Sequence, residues 1–222
     1  DGQTTQARIS DTLRVGADVQ TAFGSWGRWK VDDSSNFGPN LTGQNTTLFG
    51  AGAQDTVTLG DFTATAGVRF DHHSTFGDHW SPRAAIAWHS ADLLWKLRAS
   101  GGAAFRAPTV GELYYPLFGN PNLKPERAVS WELGGERLVG DGRAEVSLFW
   151  NDLRDLIVYD FAAFANFNIG RARTRGVEVG WRQTLAPTLS ASAAYPYLAA
   201  EELVSGAPMM RGPRPLAQRR LD

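Results

Sequence analysis

The sequence predicts an all-β fold, an antiparallel up-and-down transmembrane β-barrel, partial, with about ten strands present. Three observations carry that expectation. Period-2 alternation of apolar and polar residues recurs in runs longer than nine residues, where strands of globular proteins average five or six. Long connections at 22–45, 71–81, 106–128, 152–168 and 199–211 alternate with short ones near 59–61, 90–92, 139–142 and 186–188. Barrels that cross a bilayer have short turns at one end and long loops at the other, an asymmetry a soluble sandwich has no reason to adopt. Finally, mid-strand charges (Arg14, Asp18, Arg98, Glu132, Glu145, Glu178) suit a wet lumen. Trp88, Trp95, Trp131, Trp150 and Trp181 fall on the apolar faces, several near strand ends, as an interfacial girdle requires.

In chain order, Thr12 to Gln20 reads as a strand with Leu13, Val15, Ala17 and Val19 on one face. The Gly-, Asn- and Asp-rich stretch 22–45 has no sustained period and reads as a loop. Thr47 to Leu59 and Phe62 to Asp71 alternate again around a tight Gly60-Asp61 turn, and HHSTFGDHWSP is the next loop. Arg83 to His89 and Leu93 to Arg106 are strands separated by Ser90-Ala91-Asp92. Pro108 removes a ladder donor and ends the second of them. Pro108, Pro116, Pro121 and Pro125 forbid regular pairing through the loop that follows. Alternation resumes from Val129 to about Val139, passes the hairpin signal Gly140-Asp141-Gly142, and continues from Ala144 to Asn151. Residues 152–168 are part strand, part loop. Ile169 to Leu185 and Leu189 to Tyr197 are the eighth and ninth strands, and Arg211–Asp222 opens a tenth.

Composition excludes several classes. The 22 Lys+Arg and 23 Asp+Glu give a net charge of −1, with no basic surplus for nucleic acid. Cysteine is absent, so disulfides and thiolate metal sites are excluded. No run of about 18 apolar residues offers a membrane-spanning helix, whereas barrel strands need only about 9–11 residues each. The chain begins at Asp1 without initiator or signal peptide, and the expectation is an internal piece of a longer protein.

Candidate chemistry is sparse. Asp71, His72, His73, Asp78 and His79 cluster in the manner of metal ligands, but in no standard spacing, and a polar external loop is the expectation. Asp32-Asp33 with Asn36 and Asn40 offers oxygen ligands without the spacing of an EF-hand, which favours a solvated loop. No G-x-S-x-G elbow or phosphate-binding glycine motif occurs, so no catalytic residue, metal or cofactor is assigned and no enzyme is expected. Arg171, Arg173 and Arg175 share one face, where they line a lumen and pair with acidic neighbours, draw an anionic ligand inward, or both.

One stretch carries a resemblance. Phe105-Arg106-Ala107-Pro108, Glu112-Leu113-Tyr114 and Asn120-Pro121-Asn122-Leu123-Lys124-Pro125-Glu126 resemble the paired FRAP and NPNL boxes of TonB-dependent outer-membrane receptors. FDHHSTFGDHWSPRAAIAW, NDLRDLIVYD, NIGRARTRGVEVGW and YPYLAAEELVSGAPMMR are similar to barrel segments of the vitamin-B12/siderophore branch. The resemblance implies a barrel of about 22 strands closed by a plug. It implies an outer-membrane location with lipid around the barrel. It also implies import of a scarce small-molecule metal chelate, cobalamin or a ferric siderophore, with energy relayed by TonB. The 106–128 loop is then extracellular, and Tyr114, Tyr115 and Phe118 either stack on ligand or pack the loop on itself. No histidine lies between the boxes in Thr109–Gly119, which disfavours haem.

Against the family pattern, the plug, its TonB-contacting box and the closing strands are expected to be missing from residues 1–222. Residues 1–222 are therefore expected to be a single partial barrel domain that does not transport alone. An open sheet with two unpaired edges is also expected to aggregate. Pro196, Gly212, Pro213 and Pro215 put the pairing of the last two strands in doubt. The alternatives are a passive porin and a soluble β-sandwich carbohydrate-binding module.

Overall fold

The computed structural model describes residues 2–35, 38–116, 118–186, 189–203 and 218–221. Among them, one sheet holds β1 (Gly2–Val15), β2 (Asp18–Ser35), β3 (Gly38–Leu59), β4 (Phe62–His73), β5 (Gly77–His89), β6 (Trp95–Arg106), β7 (Glu126–Val139), β8 (Gly142–Asp160), β9 (Ala165–Ala186), β10 (Leu189–Glu202) and β11 (Gln218–Leu221). A single short helix, α1 (Val110–Tyr114), interrupts the strand series between β6 and β7. The strands lie side by side in chain order, each antiparallel to the next. No second sheet covers either face among the described residues, so the sandwich alternative lacks the layer it needs.

The outward face is apolar over a bilayer's height. Directly paired residues of antiparallel strands share a face, and the registers align Phe62, Ala64, Ala66, Val68 and Phe70 of β4 with Trp88, Ile86, Ala84, Pro82 and Trp80 of β5. Across β7, β8, β9 and β10 the same face carries Leu133, Leu148, Val177 and Tyr197 in one row. Many of these side chains are open to the surroundings: Trp80 is 65% exposed, Trp131 62% and Tyr197 54%. In a soluble protein so large an apolar face would drive association; facing lipid it is at rest. The inward face is polar, with Arg98 donating to Glu132 at 3.0 Å and Ser147 bridging the pair. Arg14, Glu145 and Glu178 also face inward by register, while Asp18 lies outward beside the short turn.

Three short turns show why one end is tight. Gly16-Ala17, Gly60-Asp61 and Gly140-Asp141 are two-residue loops whose glycine has φ of 61°, 58° and 56°. A positive φ at the first central position alone defines the hairpin turn whose twist matches the strands.

The structure corrects four expectations. Thr12 to Gln20 is not one strand, because the chain reverses at Gly16 and pairs Val15 with Asp18. Stretch 22–45 is not a loop but the arms of β2 and β3, of 18 and 22 residues. HHSTFGDHWSP is likewise mostly strand, with its connection reduced to 74–76, and 152–168 is part strand and part loop as read, with the loop confined to 161–164. At about 3.3 Å per residue a 22-residue strand is roughly 70 Å long, far beyond a bilayer's hydrocarbon core of about 30 Å. The long-loop end is therefore built of projecting hairpins. Pro196 does not interrupt β10, which keeps register with β9 through Pro196–Glu178. The β10–β11 pairing covers Ala191 to Ala194, so on that side no ladder bond is asked of Pro196 among the described residues. Gly212, Pro213 and Pro215 lie outside the described residues, as do Asn36 and the side chains of Asp32, Asp33 and Asn40.

Candidate functional site

The connection from β6 to β7, residues 107–125, is the longest non-strand segment described, and its sequence explains its shape. Pro108 stops β6, and Thr109 caps α1 with a reciprocal capping box: its Oγ1 accepts from the Glu112 backbone N–H while Glu112 accepts from the Thr109 N–H at 2.7 Å. Pro116 follows the last capped residue, Tyr115, and bars further helix. Asn120-Pro121-Asn122-Leu123 is then a β-turn with proline at its second position, closed by Leu123 N–H to Asn120 O. The Asn120 side chain accepts from the Asn122 N–H at 3.0 Å and locks the same turn.

Arg106 ties this loop to the sheet. Its guanidinium donates to both Glu112 carboxylate oxygens at 3.1 Å and to Glu126 at 2.6 Å, and Glu126 in turn accepts from the Ile157 N–H of β8. Burial pushes the Glu112 and Glu126 carboxyls up, but the Arg106 hydrogen bonds outweigh it and hold both below the ordinary Glu range. The same bonds raise the Arg106 pKa further. Leu113 and Leu123, each 4% exposed, are the apolar pegs beneath the loop.

Two residues not foreseen complete the attachment. Asn166 donates from its backbone and side chain to Phe118 O, and accepts at its own carbonyl from Asn120 Nδ2 at 2.8 Å. Asn168 accepts from Lys124 N–H and donates to the carbonyls of Lys124 and Asp155. The N-x-N spacing in β9, two amides on one face of a strand, was the signal available in the sequence.

Beside the loop lies a cavity of about 610 Å³, whose lining includes Trp29, Arg69, Asp71, His73, Phe105 and Arg106. It is within the size of small-molecule sites. Arg69 is already matched by Asp71 at 2.6 Å and Arg106 by its two glutamates, so the cationic lining is largely neutralised. Phe105 stacks on His79 with ring centroids 3.9 Å apart, above the point where β5–β6 pairing ends at Arg83–Gly102. Burial first, then His79 and His72, holds His73 below the ordinary histidine range.

The sheet brings together some sequence candidates and separates others. Phe105, Arg106, Ala107 and Pro108 line the cavity, whereas Asn120, Pro121, Asn122 and Leu123 form the turn on the far side of α1. Tyr115 and Phe118 stack on each other at 4.3 Å and Phe118 meets Tyr159 edge-on, while Tyr114 is 39% exposed. Asp71 and His79 are opposite one another on the inward face with His73, but His72 and Asp78 pair on the other face. Among the described residues no three His or acidic groups converge on a metal-sized site. Arg171, Arg173 and Arg175 correct a further expectation. They share the outward face with Val177 and Val179, and do not line the lumen.

Acidification should release the loop. Both glutamates have depressed pKa values, so their contribution is complete above the ordinary Glu value of about 4.3 and is lost as pH falls below it. Hydrogen exchange at the Asn120 and Ile157 amides should show constant protection from pH 8 to 5 and progressive loss only as pH falls below the ordinary Glu value. Loss between pH 8 and 6 would contradict the assignment.

Comparison with known proteins gives a family and a fold. The family described as TonB dependent receptor-like, beta-barrel matches residues 1–217. The siderophore receptor PirA from Pseudomonas aeruginosa is 25% identical with a TM-score of 0.79, over 90% of this chain and 41% of that one. A variant of the ferric enterobactin receptor PfeA from Pseudomonas aeruginosa, in complex with enterobactin, is 23% identical with a TM-score of 0.81, over 100% of this chain and 39% of that one. The copper transporter OprC is 18% identical with a TM-score of 0.75, over 93% of this chain and 38% of that one. The chain thus spans about two fifths of the length of these structures.

Proposed function

We infer, from the fact that this chain belongs to the TonB-dependent receptor family as part of its outer-membrane β-barrel, that it helps bind and import a metal chelate of the ferric-siderophore kind. The observation that carries the reading is the Arg106-anchored loop beside the 610 Å³ cavity, a rigid platform at the end where the hairpins project. A site fixed before the ligand arrives loses less entropy on binding. Trp29 and Phe105 in the cavity lining suit an aromatic chelate more than a bare ion, the wall arginines Arg69 and Arg106 being matched by their own carboxylates. The siderophore receptors among the similar structures support the same class. In this reading Tyr114 reaches the ligand, and Tyr115 with Phe118 forms the stacked base behind it. A plug domain outside this chain closes the lumen and passes TonB-relayed energy to the site.

The test is calorimetric titration of the full-length receptor with ferric catecholate, ferric hydroxamate, cobalamin and copper(II). Submicromolar binding of a ferric siderophore with weak cobalamin binding is the expected result. Cobalamin binding alone would overturn the siderophore assignment and leave a receptor. No chelate binding, together with steady ion conductance in planar bilayers, would replace the receptor by a porin.

A further inference from the structure

On β7, β8 and β9 the outward face carries a guanidinium patch that neither the loop nor the lumen uses. Register places Arg127 opposite Arg154 and Arg154 opposite Arg171, three cations in one row. The next row toward the membrane holds Val129, Asp152, Arg173 and Glu201, and the one below it Trp131, Trp150 and Arg175. Arg173 pairs with Asp152 at 2.8 Å, and both Arg173 and Arg175 lie over the Trp150 ring, at 4.6 and 5.4 Å. Asp152 and Glu201 are the carboxylates in the next row on this face, and Asp155, beside Arg154, has a positive φ of 54° with the β8–β9 register unchanged across it.

Arg127, Arg154 and Arg171 form no ion pair among the described residues, although all three are exposed. Like charges directly opposite one another across strands are destabilising. Asp152 reaches Arg171 electrostatically but is already ion-paired with Arg173, so the row of three asks for further counter-charge from outside the chain.

Position says where that counter-charge sits. Arg154 is twelve residues along β8 from Gly142 at the short turn. At about 3.3 Å per residue and about 40° of tilt the row stands roughly 30 Å above the turn, just past an apolar band about 25 Å tall. Trp131 and Trp150, two rows below, mark the edge of that band. Arginine's planar fork matches phosphate oxygens in pairs.

We propose that Arg127, Arg154 and Arg171 form a binding site for the phosphate groups of outer-leaflet lipid headgroups, with Trp131 and Trp150 seated at the hydrocarbon boundary. The site holds one or more lipids against this side of the barrel. The proposal rests on the membrane placement of the barrel and not on the imported ligand.

Native mass spectrometry of the full-length receptor in detergent tests it, with diphosphorylated lipid A and its dephosphorylated form as probes. The parent should retain the diphosphorylated lipid, and R127S/R154S/R171S should bind it at least tenfold more weakly with an unchanged heat-modifiable band. R137S should bind as the parent does, since it removes an outward arginine at the opposite end, over Trp95. If the triple variant fails to fold, Arg154→Ser alone breaks the row at its centre and should weaken binding several-fold. Equal retention by parent and variant, equal binding of the dephosphorylated lipid, or displacement by millimolar inorganic phosphate would each overturn the proposal.

Discussion

Gly176→Val is expected to stop the barrel from assembling. Gly176 sits mid-strand in β9, paired with Phe149 on one side and Leu198 on the other. A Cβ at that point would meet the Tyr197 carbonyl oxygen, a backbone atom, and would stand 2.5 Å from the Phe149 ring. The carbonyl cannot retreat without opening the β9–β10 ladder, and the ring packs where a side chain would have to go. Overpacking of about 1–3 kcal/mol adds to about 1–3 kcal/mol for each ladder bond left unmade. At marginal stability that sum is decisive. Gly101→Val is the informative contrast. Its Cβ would press on Trp131, a side chain 62% exposed that can swing outward. Urea titration of receptors refolded into lipid vesicles should show no folded band for Gly176→Val and a modest midpoint shift for Gly101→Val. Equal midpoints for the two would show that close approach at Gly176 does not govern pairing.

The contrast between these glycines also shows what sequence alone can reveal. Period-2 alternation located β4, β6, β7 and β10 because each has one face in lipid and one in a polar lumen, which is the condition for the pattern to exist. Where strands rise beyond the bilayer, both faces meet water and the pattern has no cause. That is why β2 and β3 between Ala22 and Asn45 read as loop, although they pair almost throughout. The turn at Gly16 was missed for the opposite reason. Leu13, Val15, Ala17 and Val19 alternate straight through a reversal that flips the phase. The FRAP and NPNL residues were visible as motifs, but their role was not. Arg106 acts through Glu112 and Glu126, the latter fixed opposite it by the β6–β7 register, and Asn120 through Asn166, whose place depends on a β8–β9 hairpin that no local rule encodes. For Arg171, Arg173 and Arg175 the phase was readable, since they share parity with Val177 and Val179. What the sequence does not mark is the height at which lipid tails give way to headgroups.

Arg106→Ala should uncouple the loop while leaving the barrel folded. The substitution removes three charge-assisted bonds and leaves Glu112 and Glu126 facing each other, their side chains only 24% and 14% exposed. Breaking one partner out of a largely buried pair costs about 3–5 kcal/mol; with Arg106 itself 44% exposed, solvent screening reduces this to about 2–3 kcal/mol. That cost falls on residues 107–125, because Arg106 and Glu126 pair above the apolar band that starts at Val129. The thermal midpoint of the barrel should therefore hardly move, while exchange protection at Asn120 and Ile157 falls. Affinity for the imported chelate should drop by about thirty- to a hundred-and-fortyfold, at 1.4 kcal/mol per factor of ten. Arg106→Lys keeps the charge but cannot hold both carboxylates in a planar fork, so it should recover only part of the loss. Glu112→Gln with Glu126→Gln in the Arg106→Ala background should relieve the repulsion and restore some protection. If Arg106→Ala leaves loop protection intact, the loop is held by Asn166 and Asn168 alone, and the motif arginine has some other role. If it unfolds the whole barrel, the loop is part of the folding unit, and the separation between a lipid-stabilised wall and a polar-stabilised platform is wrong.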